Sequence, residues 1–168
     1  MHAQAFHNRS LGKIVTVRPL ANGDTGTVAS LFDRLSPVSR ERRYHAAKPR
    51  LTPNELAQLA EVGPESHVLV AHVDGDPLPA GMARLVRDAS DRAAGELAFE
   101  VADRYHGRGI GKLLVEMLLA DARAAGIRRV DAWVQTSNGP ALGLLRRVLE
   151  QTTVRVEGSE TLVAATVN

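Results

Sequence analysis

The stretch Val101-Ala102-Asp103-Arg104-Tyr105-His106-Gly107-Arg108-Gly109-Ile110-Gly111-Lys112 decides how this chain is read. Before it runs Glu96 to Val101 (ELAFEV), alternating as a strand does. After it, Ile110, Leu113, Leu114, Met117 and Leu118 fall on one helical face. Three glycines at alternate positions let backbone N–H groups converge on an anion with no Cβ in the way. The N-terminus of the following helix adds a partial positive charge, so the loop reads as a phosphate cradle. The plainer alternative is a turn that only tightens a strand–helix junction. The P-loop is excluded, because Leu113 follows Lys112 where Ser or Thr is required. The dinucleotide fingerprint fits poorly too: the spacing is G-x-G-x-G, and the loop does not follow the first strand.

Working outward, Lys13 to Leu20 is a β-type run ended at Pro19. Asp24 opens a helix to about Leu35, with Val28, Leu31, Phe32 and Leu35 on one face. Ser36-Pro37 starts a short helical turn. Thr52-Pro53-Asn54-Glu55 offers an N-cap, a proline at the first helical position and a capping glutamate. His67 to Asp74 and Ala80 to Arg87 form a hairpin around Gly75, and Glu96 to Val101 is the third strand of that run. Beyond the glycine loop come a helix stopped by Gly126, a strand from Ile127 to Val134, and a helix from Asn138 to about Leu149. A hairpin closes the chain around Glu157-Gly158-Ser159. The expected order is βααβββαβαββ, a mixed α/β (α+β) fold with helices packed on a mixed sheet. Residues 1–10 read as a disordered polar leader and 11–168 as one domain of ordinary size.

Composition narrows the function. The chain has 168 residues and no cysteine, which excludes a disulfide framework, a Cys-ligated metal and a Cys nucleophile. Absence of cysteine suits a reducing, cytoplasmic location. No stretch is apolar enough to span a membrane. Net charge is only +2, aromatics are 4%, and acids are mixed with bases along the chain, so nucleic-acid binding is disfavoured. His67 and His72 lie five apart in a strand and face opposite sides, so they cannot pair on a metal, and no metal is expected. Trp133, in a strand, reads as core.

Val101, Gly109 and Gly111 match the pyrophosphate-binding pattern of the GCN5-related N-acetyltransferases: Val, four residues, Gln or Arg, two residues, Gly, any, Gly or Ala. His106 stands where Gln or Arg is usual. Asn138-Gly139-Pro140-Ala141 resembles that family's second motif, Asn-x-x-Ala, and the order of elements fits as well. Short pieces, Leu35 to Arg40, Leu51 to Leu56 and Gly81 to Arg84, resemble the catalytic domain of actinobacterial protein lysine acetyltransferases. The resemblance implies acetyl-CoA as donor. Its pyrophosphate would lie on His106, Gly107, Arg108, Gly109, Ile110, Gly111 and Lys112, with Asn138 close by. Its pantetheine arm would pair with backbone near Phe99 and Val101, where the strand of Glu96 splays from the parallel strand at 127–134.

Glu96 resembles the position where related enzymes hold a general base. A base is needed because a protonated amine cannot attack a thioester. The alternative is that Glu96 pairs with Arg84 on the neighbouring strand, while Glu100 reads as structural. The tyrosine that often protonates the leaving thiolate in this superfamily is replaced by Leu145; Tyr44, Tyr105 and His106 are the candidate substitutes. Arg40 to Arg50 (RERRYHAAKPR) holds five cations and one anion, either a solvated face or a contact for acidic substrate or CoA phosphates. Expected partners are an acceptor amine, protein lysine before small molecule, and a second copy of the chain through the final strands. The competing reading is a non-catalytic acyl-CoA-binding module.

Overall fold

A computed structural model describes residues 2–167. Eight strands form one sheet in the order β1-β2-β3-β4-β5-β6-β8-β7. They are β1 (Gln4–Asn8), β2 (Lys13–Pro19), β3 (Ser66–Val73), β4 (Pro79–Arg87), β5 (Ala94–Val101), β6 (Arg129–Gln135), β7 (Glu150–Glu157) and β8 (Glu160–Thr166). Helices α1 (Thr25–Asp33), α2 (Pro37–Tyr44) and α3 (Pro53–Leu59) connect β2 to β3. Helix α4 (Ile110–Ala124) joins β5 to β6, and α5 (Gly139–Val148) joins β6 to β7. Every neighbouring pair is antiparallel except β5 and β6. The expected mixed α/β architecture is what forms.

The local signals act as their chemistry requires. Asp24 caps α1 by accepting from Thr27 N at 3.0 Å, and Thr52 with Glu55 makes the capping box of α3. Ser36 caps α2, which is therefore a full third helix in the β2–β3 connection rather than a passing turn. Ile110, Leu114 and Leu118 of α4 are fully buried, and α4 lies across β3, β4 and β5. Val28, Leu31 and Phe32 close the core from α1.

Two expectations need correction. Residues 4–8 are not a disordered leader: β1 pairs with β2 from Gln4↔Val17 to Asn8↔Lys13. Its backbone supplies the pairing, so its mostly polar and exposed side chains leave little hydrophobic signature. Met1 and Asn168, the outer ends of the two expected segments, lie outside the described residues. Trp133 is not core either: it is only half-buried and lines a large cleft. After α5, where the sequence lacks a glycine, Gln151 takes a positive φ of 48° and the β7–β8 register shifts between Glu150 and Thr153.

Candidate active site

The cleft begins where two strands part. β5 and β6 pair only at Ala94↔Arg129, Gly95↔Val130 and Glu96↔Asp131. From there β5 continues beside β4 alone, and β6 stays with β8. Ala102 N donates to Ala80 O at 2.8 Å, and Asp88 N donates to Ala94 O at 3.0 Å. In an antiparallel ladder this gives the even-numbered residues of β5 to β4 and turns the N–H and C=O of Leu97 and Phe99 into the gap. The cleft has a volume of about 680 Å³. It is wide enough and polar enough at its backbone to take an extended acyl-thioester arm.

At its far end stands the glycine loop. Asp103–Tyr105 is a single 3₁₀ turn, after which Gly107 and Gly109 take φ values of 71° and 80°. Both are left-handed conformations open to solvent on the Cβ side, which explains glycine at each. Helix α4 has no side-chain cap, and its first bond runs from Leu113 N to Gly109 O. The amides of Ile110, Gly111 and Lys112 therefore lack intrahelical acceptors and are free for an anion. Gly111 has a second, structural reason to be glycine. A Cβ there would lie 3.1 Å from Leu144 of α5 and 3.4 Å from Val101.

The loop is braced from both sides. Asn8 of β1 donates from Nδ2 to Arg108 O at 2.8 Å. His106 donates from Nε2 to Val101 O at 2.8 Å, so its ring holds the strand end against the loop. Asn138 lines the cleft and caps α5, its Oδ1 accepting from Ala141 N at 3.3 Å. Lys112 pairs with Glu116 one turn on, at 3.5 Å.

The two carboxylates of β5 have different surroundings. Glu96 is exposed in the cleft at the last residue pair before the strands part. It does not pair with Arg84, whose guanidinium donates to Gln58 O and Leu59 O at 2.8 and 2.7 Å and closes the end of α3. Glu100 is buried beneath α2, with Arg43 Nε at 3.4 Å and the Tyr44 hydroxyl donating at 3.4 Å. Burial raises the Glu100 carboxyl above its ordinary value, against the pull of Arg43 and Tyr44. Burial and the Glu100 charge push the Tyr44 hydroxyl up in turn, so it stays protonated.

Leu145, at the position of the usual tyrosine acid, is fully buried. The three substitutes are each engaged: Tyr44 with Glu100, His106 with Val101 O, and Tyr105 with Asp76, to which its hydroxyl donates at 2.6 Å. His67 meets Asp121 of α4 at 2.6 Å, and among the described residues no group of three or more His, Asp or Glu is arranged to hold a metal.

The sequence offered residues 40–50 as a substrate contact but did not show that α2 forms a wall of the cleft. Ser39, Arg42, Arg43 and His45 all line the cleft. The wall is fixed at both ends: Ser36 N donates to Asp103 Oδ1 at 3.0 Å, and His45 Nδ1 meets Glu160 Oε1 at 2.6 Å. The Ser-Pro helix start was the available signal for α2, but nothing local said which strands it would cover.

The sequence model of the Acetyltransferase (GNAT) family matches residues 29–150. The chain belongs to that family. The donor substrate of GNAT enzymes is acetyl-CoA, and the free β5 backbone and the α4 amides fit its pantetheine and its pyrophosphate. Acetyltransferase Pat of Mycolicibacterium smegmatis is 31% identical over 128 residues, 76% of this chain and 38% of that protein. Acetyltransferase PA5475 of Pseudomonas aeruginosa is 29% identical over 122 residues, 71% of this chain and 65% of that protein. The chain thus spans well under half of the first relative and less than two thirds of the second. The crystal structure of the GNAT domain of S. lividans PAT superposes with a TM-score of 0.87 at 24% identity, covering 98% of this chain and 96% of that one. That likeness is one of fold.

Proposed function

We propose that this chain transfers the acetyl group of acetyl-CoA to an amine, with a protein lysine as the preferred acceptor and Glu96 as general base. One observation carries the reading: Glu96 is an exposed carboxylate in the cleft, unpaired among the described residues, at the residue pair where β5 and β6 separate. The thioester of an arm laid along Leu97 and Phe99 would end beside it. A lysine ammonium has a pKa near 10.4, so at neutral pH it must lose a proton before it can attack. Glu96 takes that proton, directly or through a water, and passes it to solvent. The nitrogen lone pair then forms the N–C bond at the thioester carbonyl, and a free β5 amide supports the developing oxyanion. The nitrogen gives up its second proton to water, the C–S bond breaks, and CoA leaves as thiolate and is protonated by water, leaving a neutral amide and CoA thiol. A thiol pKa of about 8.5 makes this leaving group workable without a side-chain acid. This agrees with Leu145 at the position of the missing tyrosine.

The lysine preference rests on the similarity to Acetyltransferase Pat and on the resemblance of residues 35–40, 51–56 and 81–84 to protein lysine acetyltransferases. The cytoplasm, where acetyl-CoA is made and kept, is the proposed setting. Two copies are expected to associate along β7, one of the two edge strands of the sheet, with Val154 and Val156 exposed; sedimentation of the pure chain checks this. The deciding experiment incubates the protein with acetyl-CoA and a panel of lysine peptides and small amines, with CoA release as readout. Acetyl-CoA binding without release on any amine would leave a binding module and end the transferase reading.

A further inference from the structure

The cationic segment 40–50 separates into residues with structural partners and two without, Arg42 and Arg50, among the described residues. Arg40 donates to Phe32 O at 3.2 Å and Pro49 O at 3.0 Å, and its guanidinium sits 4.2 Å over the Phe32 ring. Arg43 is paired with Glu100, and Lys48 with Glu55. Arg50 is exposed and lies away from the cleft lining. Arg42 is different. It is half-buried, it lines the cleft, and among the described residues it has neither a carboxylate nor a carbonyl within bonding distance. A cation partly withdrawn from water with no counter-charge gives up hydration for no return unless a ligand brings an anion.

The position of Arg42 indicates which ligand. Helix α2 packs against β5 and β6, and its Arg43 and Tyr44 reach the β5 face that carries Glu96, Ala98 and Glu100. The glycine loop opens α4 on the other face, where Gly111 packs against Phe99 and Val101. Arg42 is therefore carried by the helix on the Glu96 face of β5, opposite the face on which α4 opens. The ties to Asp103 and Glu160 at the two ends of α2 hold in place the helix that carries Arg42. The cleft lining thus includes, on the Glu96 face of β5, a carboxylate, Glu96, and a cation on α2, Arg42, neither with a charged partner among the described residues. Its complement is an ammonium group with a carboxylate beside it.

We infer that Arg42 selects acceptors in which the reacting amine has a neighbouring carboxylate. This rests on the transferase reading above. In a protein that carboxylate is an Asp or Glu flanking the lysine; in a small molecule it is the carboxylate of an amino acid.

The test uses the full chain and acetyl-CoA with three lysine peptides that differ only in flanks of Glu, Gln or Arg. Free lysine and cadaverine, the same amine without the carboxylate, form the small-molecule arm. Rates are read as kcat/KM from CoA release, and acetyl-CoA affinity by calorimetry. The Glu-flanked peptide should exceed the Gln-flanked one by roughly 10-fold, the scale of one charge-assisted contact. The margin should shrink as salt is raised. Arg42→Glu should reverse the order so that Arg flanks lead, Arg42→Gln should level it, and Arg42→Lys should keep it. Acetyl-CoA affinity should hold in every variant. If free lysine exceeds cadaverine while the peptides fail to react, the carboxylate is that of a small molecule. Transfer that ignores flanking charge, or a preference that survives Arg42→Glu in a folded variant, overturns the inference and leaves the transferase intact. Acetyl-CoA binding with no transfer to any amine overturns both.

Discussion

Glu96 and Glu100 sit on one face of one strand and meet opposite fates. Glu96 stays in the cleft, and Glu100 is covered by Arg43 and Tyr44. If Glu96 is the base, Glu96→Gln should lower acetyl transfer roughly 10²–10⁴-fold near neutral pH. Acetyl-CoA affinity should not change, because backbone groups hold the donor. The deficit should narrow as pH rises and more of the acceptor amine is already deprotonated; rate against pH for both proteins checks this. Glu100 gives a second expectation, about stability. Its folded pKa is raised, so between the unfolded value and the folded one the native state binds more protons than the unfolded state. Stability from this group is complete below the unfolded carboxyl value and declines as pH rises through the folded one. Glu100→Gln removes the ionisation, so melting temperature against pH should lose that decline. A decline that persists in the variant would assign it to another group.

At the scale of elements, the three glycines of the loop separate into two kinds. Gly109 has a φ of 80° with open space beyond it, so a side chain there strains the backbone by about 1–2 kcal/mol and intrudes on the phosphate. Gly111 has neighbours where a side chain would go: Leu144 at 3.1 Å from a built Cβ, and Val101 at 3.4 Å. Gly109→Ala should chiefly weaken acetyl-CoA binding. Gly111→Val should chiefly destabilise the fold, by the roughly 1–3 kcal/mol typical of overpacking. Calorimetric titration and thermal unfolding of both variants distinguish the two effects.

The sequence showed three glycines with one apparent purpose, and spacing alone cannot reveal that α5 comes back across Gly111. The same limit applies to the carboxylates. Alternation placed Glu96 and Glu100 on a common face, but which of them is covered depends on a helix some sixty residues earlier. Capping chemistry, by contrast, is local, and Asp24, Thr52 and Asn138 were legible as helix starts for that reason. Strand β1 was not, because its pairing runs through backbone while its side chains stay mostly in solvent.

For the whole molecule, the donor should act as a missing structural part, binding β5 where β6 has left it and bridging to the α4 amides. At 100 times its dissociation constant acetyl-CoA should add about 2.7 kcal/mol of stability. For a chain of this size that is a rise of roughly 5–11 °C in Tm. ATP and NAD should give much less, because neither carries an arm that can complete the strand. No shift at millimolar acetyl-CoA would show that the cleft does not bind it.

The chain has one tryptophan, and it is Trp133, half-buried on β6 in the wall of the cleft. Its indole is therefore a single optical reporter in the cleft wall, where the donor arm is proposed to lie. Emission from the native protein tracks occupancy of that one place, with no second indole to dilute the signal and no label to perturb it. Donor arrival, product departure and the order in which donor and acceptor bind all become observable in real time by stopped-flow on unmodified protein.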